Sequence, residues 1–114
     1  MLDFEKQLSG DILIEKVNLL RATTVEASMM KKRLFDDIHL YKKKIIIDIS
    51  KCEFIDSTFI GALVISLKRT RENGGDIKIV IGSSVVRKTL GITGFLKVFE
   101  NYSSVEDALK SFRS

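Results

Sequence analysis

Proline and tryptophan are absent from this chain, and cysteine and histidine occur once each, as Cys52 and His39. A single cysteine cannot form an intrachain disulfide or supply a multi-cysteine zinc site. A lone thiol suits a reducing compartment, so a cytoplasmic location is expected. No apolar run approaches the ~20 residues needed to cross a bilayer. The opening Met1-Leu2-Asp3-Phe4-Glu5-Lys6 lacks a basic stretch leading into an apolar one. Neither membrane insertion nor a secretory leader is therefore expected. The glycines at Gly74-Gly75 and from Gly91 to Gly94 lack the spacing of a phosphate-binding loop and read as turns. There is no Gly-x-Ser-x-Gly elbow, and His39 stands far along the chain from the serines that open helices. These absences leave no catalytic residue, metal or cofactor to expect, and the chain reads as a binding protein rather than an enzyme.

The 114 residues suffice for one domain, 1–114, with one hydrophobic core. Hydrophobic residues at 45% and charged residues at 30% place it among ordinary globular chains. The net charge of +4 raises the question of nucleic acid, but the basic residues are dispersed as Lys31-Lys32-Arg33, Lys42-Lys43-Lys44, Lys68-Arg69 and Arg87-Lys88. Asp36, Asp37, Glu53, Asp56 and Glu72 lie among them, and no aromatic residues are interleaved as in nucleic-acid readers. Solvated faces explain this pattern, and no nucleic-acid partner is expected.

Strands are predicted at Phe4 to Leu8 and Ile12 to Val17, joined by a turn at Ser9-Gly10-Asp11. Thr23 and Glu26 have capping-box spacing, and Ala27, Met30, Leu34 and Ile38 recur at helical intervals, predicting a helix to about Leu40. Lys44 to Ile49 is almost continuously β-branched, as in a central strand covered on both faces. A second helix opens at Asp56-Ser57 and closes at Asn73-Gly74-Gly75; within it Gly61 is expected to let the helix approach the sheet. A strand follows at Ile77 to Ile81, then a short helix capped by Ser83 or Ser84 and closed by Gly91. An edge strand is expected at Lys97 to Glu100, and a last helix opens at Ser103 with Glu106 in capping-box spacing. Strands alternating with helices after a hairpin imply an α/β domain: a mixed sheet with parallel central strands and about four helices packed on it.

The most informative segment runs from Ile45 to Leu63. A buried strand ends at Asp48-Ile49-Ser50, and Phe54-Ile55-Asp56-Ser57 opens a helix. Asp56 suits an N-cap. Ser57 would lie in the first turn, where helix amides tolerate a phosphate. On residue type alone Ser57 reads as a plain helix-opening hydroxyl with no regulatory role. Thr58 is a competing acceptor, Cys52 a small buried filler, and Asp48 a strand-end acid expected to reach the cluster around Asp56.

At these residues the chain resembles the STAS family, and within it the bacterial anti-sigma factor antagonists. The resemblance is carried by Asp48-Ile49-Ser50, Phe54-Ile55-Asp56-Ser57, Gly61-Ala62-Leu63, Asn73-Gly74-Gly75-Asp76 and Leu90-Gly91-Ile92-Thr93-Gly94-Phe95, and it ends with Ser103 to Leu109. It implies a STAS-like fold and phosphorylation of Ser57. It also implies a partner-binding surface at Arg21, Thr23, Thr24, Asp56, Ser57, Thr58, Phe59 and Ile60. The implied partners are an anti-sigma factor with a histidine-kinase-like ATPase fold, which is also the kinase, and a PP2C-type serine phosphatase that reverses it. Two positions depart from the family pattern: Phe59 stands where glycine is frequent, and Arg21 where an acidic residue is frequent. An alternative within the same resemblance is a STAS-like accessory subunit of a membrane lipid-transport ATPase complex, without phosphorylation.

Overall fold

The computed structural model describes residues 2–40 and 43–114. Met1 and Lys42, which enter the leader and charge arguments above, lie outside that range. The elements in chain order are β1 (Phe4–Ser9), β2 (Ile12–Val17), β3 (Arg21–Ala22), α1 (Thr24–His39), β4 (Lys44–Asp48), β5 (Phe54–Ile55) and α2 (Ser57–Glu72). They continue as β6 (Asp76–Val80), α3 (Ser84–Ile92), a single 3₁₀ turn at Phe95–Lys97, β7 (Glu100–Tyr102) and α4 (Val105–Arg113). Five strands form one sheet in the order β1-β2-β4-β6-β7. Only the β1–β2 hairpin is antiparallel; β2–β4, β4–β6 and β6–β7 are parallel. The architecture is the α/β mixed sheet with four helices that the element pattern predicts.

The hairpin closes because Gly10 takes a φ of 62° in the two-residue link between paired Ser9 and Ile12, a conformation that tight hairpin turns require and glycine adopts without strain. In β4, Ile45, Ile46 and Ile47 are all fully buried, which is possible only if both faces of the sheet are covered. Alternation assigns them. Ile45 and Ile47 join Leu13, Ile77 and Ile79 in a core shared with α1, α2 and α3, whereas Ile46 packs with Ile12, Ile14 and Val80 against Ala108 of α4. Three helices thus cover one face and one helix the other. On the α4 face, Lys78 of β6 is also buried; its Nζ donates to Ser111 Oγ, pairs with Glu100 at 3.1 Å and lies 4.3 Å from the Phe112 ring centre.

Three details differ from expectation. The edge strand begins at Glu100, three residues or so later than predicted. Gly94, at φ 77°, turns the chain into the 3₁₀ segment, whose Phe95 stacks on Phe99 at 4.4 Å within the core. Aromatic burial thus holds this stretch out of the sheet. The last helix is capped by Ser104, whose Oγ accepts from the Asp107 amide, rather than by Ser103. The small β3–β5 parallel pair, two residues a side, was not anticipated.

Gly61 also departs from expectation, since a Cβ there would meet nothing within 4 Å. The tight approaches are instead at Gly75, where a Cβ would stand 2.3 Å from the Lys43 carbonyl oxygen, and at Gly82, just after β6, where it would stand 2.5 Å from the Ser50 carbonyl oxygen. Gly61→Ala should therefore stabilise the protein by ~0.5–1 kcal/mol, the usual gain of alanine over glycine within a helix. Gly82→Ala should destabilise it by ~1–3 kcal/mol through overpacking against backbone. Urea unfolding of the two variants checks this, and the opposite ranking would refute it.

Candidate functional site: two helix N-termini joined by one carboxylate

The chain leaves β4 through a loop that it closes with its own side chain: Asp48 Oδ1 accepts from the Ser50 amide at 2.9 Å. This corrects the expectation that Asp48 reaches toward Asp56. Cys52, further along the loop, is fully buried and hydrogen-bonds through its amide to the Ile49 carbonyl. Burial, with the negative charge of Asp48 adding to it, pushes its thiol pKa up to about 12, so it serves as an inert filler, as expected. The Glu53 and Phe54 amides then both donate to the Leu20 carbonyl, at 2.8 and 3.1 Å. Arg21 and Ala22 pair with Phe54 and Ile55, and the Asp56 amide donates to Ala22 at 3.1 Å. These bonds bring the residues that precede α1 beside those that precede α2.

Asp56 completes the arrangement. Its Oδ1 accepts from the Phe59 amide at 2.9 Å, capping α2. Its Oδ2 accepts from the Thr24 amide at 2.8 Å and the Thr24 hydroxyl at 3.1 Å, at the first residue of α1. One carboxylate therefore sits at the positive ends of two helices. Chiefly the Phe59 amide, supported by Thr24 and Thr58, holds its pKa below the ordinary carboxylate value. Thr23 caps α1 from the other side, its amide donating to Glu26 Oε1 at 3.0 Å in the predicted capping box.

Around this junction the surface divides sharply. Ser57, Thr58 and Thr24 are exposed on the two first turns. Arg21 is exposed as well, its guanidinium 4.2 Å above the Phe54 ring. Phe59 and Ile60, expected at a partner surface, point inward instead: Phe59 is fully buried and Ile60 nearly so. At the third helical position the side chain turns toward the sheet, so a large apolar group there enlarges the core and leaves the surface unchanged. Sequence reasoning missed three exposed apolar groups beside the junction, Leu20, Val25 and Phe54. Their signal was present: each is apolar at a position adjoining a predicted helix start but outside that helix's inward-facing set. A shallow cleft of about 840 Å³, formed by the loops that follow β2, β4 and β6, has Leu20 in its lining.

Among the described residues no base is placed to activate the Ser57 hydroxyl as a nucleophile. Both Asp56 oxygens are engaged by helix amides, and His39 lies at the opposite end of α1, roughly 20 Å away at 1.5 Å per residue. Among the described residues no group of three or more His, Cys, Asp or Glu side chains could hold a metal ion, and no helix is long and apolar enough to cross a membrane.

Comparison with known proteins agrees with the fold and the motifs. Residues 6–108 match the model of the STAS domain, and the chain belongs to the STAS domain family. It is 28% identical over 112 residues to a candidate anti-sigma factor antagonist of Thermotoga maritima, an alignment covering 96% of this chain and 97% of that one. A counterpart from Thermotoga neapolitana is 31% identical over 85 residues, 74% of this chain and 75% of the relative. A crystal structure of a T. maritima protein of that description superposes with a TM-score of 0.90 at 26% identity, covering 97% of this chain and 95% of that chain.

Removing the shared carboxylate should be costly for a surface residue. Asp56→Ala should lose ~1–2 kcal/mol of stability at neutral pH, the upper range for an N-cap, because two helix ends lose an acceptor. A depressed folded-state pKa means that this contribution is present above the ordinary aspartate pKa and is lost as pH falls through the folded-state value. The gap between wild type and variant should accordingly shrink in acid, which denaturant titrations at neutral and strongly acidic pH would reveal. A gap independent of pH would mean that the carboxylate charge contributes nothing.

Proposed function

We propose that this STAS domain is a cytoplasmic anti-sigma factor antagonist that works by partner switching, with no turnover of its own. In its unphosphorylated form it binds an anti-sigma factor that carries a histidine-kinase-like ATPase fold and is also its serine kinase. Phosphorylation of Ser57 releases the complex, and a PP2C-type serine phosphatase restores binding. The observation that carries this reading is the placement of Ser57: an exposed hydroxyl on the first residue of α2, beside the Asp56 junction and the apolar groups of Leu20, Val25 and Phe54. The names of the Thermotoga relatives support the same class of partner.

The docking surface would comprise Arg21, Thr24, Val25, Phe54, Ser57 and Thr58, with Thr23 and Asp56 holding the two helix starts in place and Phe59 and Ile60 supporting them from the core. A phosphate on Ser57 adds about −1.5 to −2 charges at the centre of that surface. The positive ends of the two helices offset the charge locally, so the fold is retained while the complementary surface of the partner is repelled. Arg21, held against Phe54, is the nearby cation that would moderate the change.

A penalty of about 3 kcal/mol weakens binding more than a hundredfold. Calorimetric titration with the anti-sigma factor tests this. Ser57→Ala should bind as tightly as the unphosphorylated wild type. Ser57→Asp and the phosphorylated protein should bind at least a hundredfold more weakly while unfolding at nearly the same denaturant concentration. Equal affinity of the alanine and aspartate variants and the phosphoprotein would overturn the switch.

A further inference from the structure

Away from the Ser57 surface, the interface between the sheet and α1 contains two buried acids. Glu15 of β2 is fully buried and Asp37 of α1 is 2% exposed. In β2, Leu13, Glu15 and Val17 share one face, so Glu15 occupies a core position where an apolar residue would be expected. The charged groups facing the pair come from β1 and α1. Arg33 donates through Nε and Nη2 to Glu15 Oε1, at 3.2 and 2.9 Å. Lys6 Nζ lies 2.6 Å from Asp37 Oδ1 but 3.8 Å from Glu15 Oε2, too far for a hydrogen bond. From β4 the residue beside Glu15 is Ile47, which is uncharged.

Both cations are thus committed to one oxygen of each acid. The other two, Glu15 Oε2 and Asp37 Oδ2, are buried without a hydrogen-bond partner among the described residues. Two ionised carboxylates left in that state would carry a desolvation cost on each orphaned oxygen and repel one another. A proton kept on Glu15 supplies a donor that the neighbouring Asp37 side chain can accept.

We propose that Glu15 keeps its proton and donates it to Asp37 across the β2–α1 interface, forming a pH-sensitive latch between the sheet and the first helix. Burial, followed by the neighbouring Asp37 carboxyl, raises the Glu15 pKa to about 8, against the opposing effect of Arg33. A raised folded-state pKa fixes the sign: the latch stabilises the fold fully below the unfolded-state carboxyl value and loses that contribution as pH rises through about 8. The affected window therefore lies across neutrality, where most carboxyls have already ionised.

Carbon-detected NMR of the side-chain carboxyls in the full chain tests this between pH 4 and 9, alongside urea unfolding over the same range. The Glu15 carboxyl should titrate with a midpoint several units above the ordinary ~4.3. The wild-type unfolding constant should rise with pH, approaching tenfold per unit inside the window, as linkage to one proton requires. Glu15→Gln, whose amide can donate to Asp37 at every pH, should remain folded and lose that slope. Asp37→Asn should lower the Glu15 midpoint by removing the negative partner. A wild-type Glu15 midpoint in the ordinary carboxylate range would overturn the proposal, as would a midpoint unmoved by Asp37→Asn.

Discussion

Asp56 joins two elements that the sheet alone would leave independent. α1 and α2 start from different strands, and nothing in parallel β topology requires their N-termini to meet at one point. They meet because β3 and β5 bring the two preceding segments together and because one carboxylate accepts hydrogen bonds from both helix ends. The first turns are thereby fixed relative to one another, and Ser57, Thr24 and Val25 become a single surface. Docking onto a surface ordered in advance spends little conformational entropy. That suits a reading in which partner affinity is altered by charge rather than by refolding.

Polar groups are placed differently on the two faces of the sheet. On the α4 face a buried lysine, Lys78, is satisfied by a serine, a glutamate and an aromatic ring. On the α1 face the buried charges are two acids served by cations that each reach only one of their oxygens. The first arrangement leaves no orphaned buried side-chain atom among the described residues, whereas the second is complete only with a proton. The contrast locates chemical sensitivity at the β2–α1 interface and leaves the α4 face as passive packing.

Much of the architecture was legible in the chain because periodicity and capping report directly on local structure. The isoleucine run of β4, the Thr23–Glu26 capping box and the Asp56-Ser57 helix start all lie where patterning places them. Less legible was what depends on three-dimensional neighbours. Phe59 reads as a surface residue by its nearness to Ser57, yet the helical rotation between the two positions sends it into the core. Gly61 reads as a close contact, but the close contacts belong to Gly75 and Gly82, at the two ends of β6, and emerge only once β6 lies beside β4 and the segments that flank it. Glu15 was the plainest omission: alternation along β2 puts it on the inner face, and an acid on an inner face demands a partner that only the fold can supply.

Lys6 carries a second consequence. It lies on β1, the outer strand of the five-stranded sheet, whose free edge could template pairing with another chain. Its ammonium is drawn inward to Asp37 while the side chain stays 40% exposed, and a strand arriving at that edge would have to strip water from a charge it cannot replace. Inward-pointing charges on edge strands are a recognised defence against edge-to-edge aggregation. The lysine that satisfies one buried oxygen thus also places a charge at the sheet's outer strand, so edge protection and core electrostatics call on the same side chain.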